Sequence, residues 1–332
     1  MAERYNYIDF LRFIGLTLII LAHVQAPHTI TQMRCFDVPL MVFASGLSFS
    51  GKTLKASWRS FYWPRIKRLI IPVYIFITLY LLLWVAIGDP FSLKESIGSY
   101  LLLEDNSIKY VWIIKVFLLI MLITPLLIRI NTRVNTRQFI VLIIGLLILQ
   151  EIIVHLCGDY ATEGLIGQFI KESAYSIVGY SIPFLVGLRV RFLENKSNLL
   201  MALCAILLMA IAVVLYYYQY GFPIDISPRF KYPPYRYYII YGVCVSLFLW
   251  ASRDFLKFLS DKKFVLFIGQ NTIWLYLWHI PFVYIANRFI DGWAIRYLFV
   301  YLGAVVVVCL QYIIVNLISK KKDLSFLKYF KG

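Results

Sequence analysis

Two of the four histidines, His23 and His279, lie inside long apolar runs, where ionisable groups are costly and are functional candidates by default. In "LRFIGLTLIILAHVQ", residues 11–25, Arg12 and His23 share the run. At about 100° per residue their eleven-residue separation leaves the two side chains about 20° apart on one helix face and roughly 16 Å apart along it. Asp9 stands one turn before Arg12, close enough to orient its guanidinium. In "IGQNTIWLYLWHIPF", His279 is about fifteen residues into its own run, as His23 is, so both imidazoles are expected at one depth, roughly 22 Å from the same membrane surface. An imidazole can take or give a proton near neutral pH. Taken singly, Arg12 also reads as a cation snorkelling to the interface, and His23 as a histidine satisfied by an interhelical hydrogen bond. Two histidines at one level favour a site.

A third basic group stands at the start of another apolar run. "WRSFYWPRIKRLIIP" carries Arg59, Arg65, Lys67 and Arg68. Arg65 and Arg68 are one turn apart, a spacing that lets two guanidinium forks grip phosphate oxygens, with Arg12 nearby. The same cluster also reads as a topology signal.

The elements that must position these residues are membrane helices. The chain has 332 residues, is 61% hydrophobic and has a mean hydropathy of +0.76. Apolar runs of about 20 residues recur along it, each long enough to cross a hydrocarbon core of about 30 Å. Lipid admits only helices or closed barrels, and a barrel would show alternating strands instead. The fold class expected is all-α and polytopic, one domain over 1–332, with about ten spans near 8–26, 36–50, 69–87, 111–128, 138–156, 174–188, 199–218, 237–251, 264–287 and 294–318. With that layout 22 of the 33 Lys and Arg fall on one side and 9 on the other, while Arg12 and Lys115 fall within spans. This asymmetry predicts that both termini are cytoplasmic, and it accounts for the net charge of +16 without a nucleic-acid partner. The cysteines, Cys35, Cys157, Cys204, Cys244 and Cys309, have no paired spacing and read as small core residues. No metal site and no cleavable signal peptide are expected. The outer segment "QYGFPIDISPRFKYPPYR", 219–236, reads as an aromatic belt or as a lip on which sugar rings could stack.

Together these motifs resemble the acyltransferase-3 family of integral membrane O-acyltransferases. Arg12, ten residues and then His23 match the pattern of its first span, with Asp9 as the preceding acid. "FDVPLMVFASGLSFSG" resembles its second span, with Ser45 and Gly46 as the Ser-Gly pair. "PRIKRLIIPVY" resembles its basic turn and proline, here Arg65, Arg68 and Pro72, and "YVWIIKVFLLIMLITPLL" its tryptophan-led span, Trp112 to Pro125. "IPFLVGLRV" and "IGQNTIWLYLWHIPF" resemble later spans bearing Gly187 and His279. Lys115 departs from the pattern, which has an uncharged or aromatic residue there.

The resemblance implies transfer of an acyl group, usually acetyl, from cytoplasmic acetyl-CoA to a hydroxyl of an extracytoplasmic glycan or glycan precursor, as in cell-surface polysaccharide modification. His23 and His279 are then the catalytic residues, with His23 the base and His279 its orienter or an oxyanion donor. Arg12, Arg65 and Arg68 hold the CoA, and Asp9, Ser45 and Trp112 support them. Acetyl-CoA is a donor substrate rather than a resident cofactor, the partners are the acyl-CoA, a glycan or glycolipid acceptor and the bilayer, and the location expected is a bacterial cytoplasmic membrane. Two rival readings remain: a transporter or exporter of a small anion or glycan precursor, and a non-catalytic member of a polysaccharide-assembly complex.

Overall fold

The computed structural model describes the chain apart from residues 1–4, 50–57, 105–107, 109, 160–163, 194, 222–225, 227–229, 322–326, 328–329 and 331–332. Arg4, Lys52, Lys55, Lys322, Lys328 and Lys331 of the charge count and part of the 219–236 lip therefore lie outside the described residues, as do the side chains of Cys157, Lys196, Lys320 and Lys321. Helices make up the ordered framework, and no strand occurs among the described residues.

The chain opens with α1 (Asn6–Ala22), α2 (His28–Met33) and α3 (Asp37–Leu47). Next come α4 (Trp58–Ile87), α5 (Leu93–Tyr100), α6 (Trp112–Arg133), α7 (Thr136–Asp159) and α8 (Gly164–Val190). The last third holds α9 (Asn195–Tyr220), α10 (Arg236–Ala251), α11 (Arg253–Ser260), α12 (Lys263–Gln270), α13 (Thr272–Phe289) and α14 (Trp293–Lys321). Six of these are long and apolar enough to cross a membrane: α4, α6, α7, α8, α9 and α14. The count becomes seven if α10 and α11, bent by 79° at Ser252, form one span. Ten spans were expected; among the described residues six or seven helices meet the length and composition for a full crossing, and the remaining runs form shorter helices. The run at 36–50 is only the 11-residue α3, about 16 Å long, well short of the hydrocarbon thickness. Its Leu40, Val42, Phe43, Ala44 and Leu47 are fully buried in protein. Hydropathy counts apolar residues alike whether they face lipid or other helices. The run at 264–287 is likewise split at Asn271 into α12 and α13, and α1 has 17 residues.

α3 forms the centre, packed against α1, α8 and α10. Lipid tails are as apolar as leucine, so these contacts depend on close packing rather than on exclusion of water. Gly46 on α3 and Gly187 on α8 make it possible: a Cβ on either would stand 2.2 Å from a carbonyl oxygen of the other helix, Phe184 or Phe43. α12 seats on α1 in the same way, since a Cβ at Gly269 would be 2.1 Å from the Asp9 carbonyl oxygen. The outer helices α7, α9 and α14 turn rows of Leu, Ile and Val outward, as lipid-facing helices do. Cys35, Cys204, Cys244 and Cys309 are free; Cys35 and Cys244 are buried as expected of small core residues, whereas Cys204 is exposed and Cys309 half-buried. The tyrosines near 216–238 divide: Tyr217 and Tyr218 point outward, whereas Tyr216, Tyr237 and Phe230 pack edge to face inside, with ring centres 5.2–5.5 Å apart.

Candidate active site

α1 carries the two ends of the site. Near its start Arg12 donates from Nη1 to Asp9 Oδ1 at 2.9 Å and from Nη2 to Ser48 Oγ at 2.8 Å. Asp9 is buried, and 28% of the Arg12 side chain remains exposed. Arg12 is therefore held in place by two partners rather than snorkelling loosely. The hydroxyl that holds it is that of Ser48, just past α3. Ser45, the serine singled out by sequence, donates instead to the Met41 carbonyl at 3.0 Å.

Arg65 and Arg68 lie on α4, which begins at Trp58 rather than at 69, so the basic cluster is helical and its one-turn spacing is realised. Arg65 Nη1 donates to the Phe61 carbonyl at 2.6 Å, and its guanidinium lies 4.2 Å from the centre of the Phe61 ring. Arg12, Arg65 and Arg68 line one cavity of about 350 Å³, together with Ser45 and Ser48. Its remaining walls are mainly apolar, with Leu16 and Ile19 of α1, Ile113 and Phe117 of α6, and Phe184 of α8. Tyr276 of α13 lines it too, whereas His23 and His279 do not. Ile19 and Tyr276 are each one helical turn from a histidine, His23 and His279 respectively. Trp112 is not on the cavity wall; its ring packs edge-on against Tyr232 with centres 5.1 Å apart. Lys115, the departure from the family pattern, is buried in an ion pair with Glu172 of α8.

His23 closes α1, its backbone N–H bonded to the Ile20 carbonyl. The chain then reverses through Gln25, whose φ of 55° lies in the left-handed region. Asn287 of α13 donates to the His23 carbonyl at 3.1 Å and ties this helix end to the helix bearing His279. The two imidazoles meet there: His23 Nδ1 and His279 Nε2 are 2.9 Å apart, and the rings lie 18° from parallel. The Tyr110 ring covers His23 at 4.2 Å, and the Tyr276 hydroxyl donates to the Tyr110 carbonyl.

The proton positions in the neutral pair follow from the partners. His279 Nδ1 contacts the carbonyl oxygen of Tyr276, and a carbonyl only accepts, so Nδ1 of His279 carries the hydrogen. Its Nε2 is then an acceptor, and His23 must donate to it from Nδ1. That leaves Nε2 of His23 with a free lone pair. A carbonyl-anchored chain thus sets one tautomer on each ring, as second partners do for histidines generally. Sequence reading paired the two histidines but did not find Ser48, Tyr276, Asn287 or Tyr110. Ser48 and Tyr276 are each one turn from a residue it had found.

A family model described as an acyltransferase domain matches residues 5–315. No curated protein and no solved structure matches the chain.

Proposed function

This chain belongs to the acyltransferase-3 family, and we propose that it is a membrane O-acyltransferase. In this reading it moves an acyl group, acetyl in the first instance, from cytoplasmic acyl-CoA to a hydroxyl of an extracytoplasmic glycan or glycan precursor. The observation that carries the proposal is the chain from the Tyr276 carbonyl through His279 to His23, one helical turn from Ile19 and Tyr276 on the wall of a cavity that three arginines also line. On the ten-span layout the division of Lys and Arg, 22 against 9, supports a cytoplasmic arginine end and cytoplasmic termini, and a bacterial cell membrane is the location we propose. Thiol labelling of cysteines placed at Ser57, expected inside, and Ser227, expected outside, checks this orientation. Both positions lie outside the described residues.

Arg12, Arg65 and Arg68 would receive the CoA phosphates, with charge-assisted bonds from planar forks. The uncharged arm of the donor then extends along Leu16 and Ile19 towards the histidines. Nε2 of His23 takes the proton of the acceptor hydroxyl as that oxygen bonds to the thioester carbonyl carbon. The tetrahedral adduct collapses, the carbon–sulfur bond breaks, and His23 returns the proton to the departing thiolate. An ester and free CoA thiol are formed. General-base action of this kind is worth about 10²–10⁴-fold in rate. With both its nitrogens engaged, His279 is assigned the orienting role rather than oxyanion donation.

The test uses the full chain in nanodiscs with acetyl-CoA and a glycan acceptor, following thiol release and the mass increase of the glycan. His23→Gln keeps hydrogen-bonding capacity but cannot carry the proton, and it should abolish transfer while acyl-CoA still binds. Retention of most wild-type turnover would make His23 a packing residue. Net flux across vesicles without any acylated product would favour the transporter reading.

A further inference from the structure

A second buried polar cluster, at the start of α3, has no part in the chemistry above. Asp37 is 0% exposed, Lys231 3% and Arg34 6%. Arg34 Nη1 donates to Asp37 Oδ2 at 2.5 Å, Lys231 Nζ reaches both carboxylate oxygens at 3.0 and 3.1 Å, and the Val38 N–H donates to Oδ1 at 2.8 Å. The carboxylate is saturated, yet two cations share this one anion. Nε of Arg34 is buried with no hydrogen-bond partner among the described residues. Native proteins leave few buried polar groups unsatisfied, and a charged donor is among the most costly to leave so.

The nearby carboxylates do not fill the gap. Glu172 is taken by Lys115, by Gln168 Nε2 at 2.8 Å and by the Glu104 N–H at 3.2 Å. The Glu104 side chain turns to Tyr175. Tyr232, 42% exposed, lies with its ring centre 5.7 Å from the Lys231 ammonium. Arg34 and Lys231 are also among the charged groups whose field reaches His23. Neither residue lines the arginine cavity.

We propose that Arg34 and Lys231 form an oxyanion subsite for a carboxylate or phosphate on the acceptor sugar, whose hydroxyl is thereby presented to His23. This rests on the acyl-transfer reading for the role of the site, but binding tests it separately. A plain structural staple would need one cation for Asp37; the second cation and the unpartnered Nε–H are what an arriving anion would satisfy.

The experiment is equilibrium titration of the full chain in nanodiscs with three glycosides differing only at one carbon: methyl glucoside, methyl glucuronoside and methyl glucoside 6-phosphate. The acidic pair should bind at least about tenfold tighter than the neutral one, one tenfold step being a single strong charge-assisted contact. The carboxylate and phosphate arms show which oxyanion is preferred. Lys231→Met leaves Arg34 and Asp37 as a neutral pair and should abolish the preference. Arg34→Met, which leaves Lys231 and Asp37 paired, is the second variant should the first fail to fold. Equal binding of all three by the wild type, or a preference that survives in a folded variant, overturns the subsite. A wild type that binds the acidic glycosides but transfers no acyl group overturns the transfer reading instead and leaves the subsite standing.

Discussion

If His279 acts only by holding His23, its loss should matter only while His23 is present. His279→Ala removes the sole acceptor assigned to the His23 Nδ1–H, 2.9 Å away, and frees the imidazole to carry its proton on Nε2 instead. Leaving a buried donor unmatched costs about 1–3 kcal/mol, which corresponds to roughly 5–150-fold in turnover if the full cost falls on the competent tautomer. His23→Ala removes the base itself, and about 10²–10⁴-fold goes with it, or about 2.7–5.5 kcal/mol. In the double variant the second loss has nothing left to act upon. Its turnover should equal that of His23→Ala alone, with a coupling energy as large as the whole effect of His279→Ala. The measurement is kcat for thiol release from acetyl-CoA at saturating donor and acceptor, with donor binding recorded separately to show that each variant is folded. Losses that multiply in the double variant would refute the argument and restore an independent role for His279, such as donation to the oxyanion.

Three further outcomes follow from the packing. Ser48→Ala, which takes away a hydroxyl that accepts from Arg12, should raise KM for acetyl-CoA several-fold up to about tenfold, whereas Ser45→Ala should change it less, because the Ser45 hydroxyl is bonded to the Met41 carbonyl and not to Arg12; initial-rate kinetics distinguish the two. Arg65→Ala and Arg68→Ala should likewise raise KM for the CoA donor more than KM for the acceptor, and an unchanged donor KM would return them to topology signals. Lys115→Met leaves Glu172 as a buried unpaired charge and should destabilise by about 3–5 kcal/mol, while Lys115→Met with Glu172→Met should recover most of the loss; thermal unfolding in detergent reads both.

The all-helical membrane class was legible from hydropathy alone, since only a lipid solvent explains so many apolar runs of spanning length. The pairing of His23 with His279 was legible as well, although the depth count assumed one unbroken helix over 264–287; with the break at Asn271, packing of α13 against α1 sets the level of His279. The number of spans was not legible. Apolar side chains buried in protein and apolar side chains facing lipid have the same hydropathy, so α3 and α12 read as membrane spans or parts of them until their surroundings were known. The partners within the site were also hidden. That Ser48 rather than Ser45 holds Arg12, and that the Tyr276 carbonyl sets both imidazole tautomers, depends on side-chain directions around neighbouring turns. The convergence of Arg34, Asp37 and Lys231 spans almost two hundred residues of sequence. Only the folding of the 230–235 segment over the start of α3 makes them one cluster, and no local spacing encodes that contact.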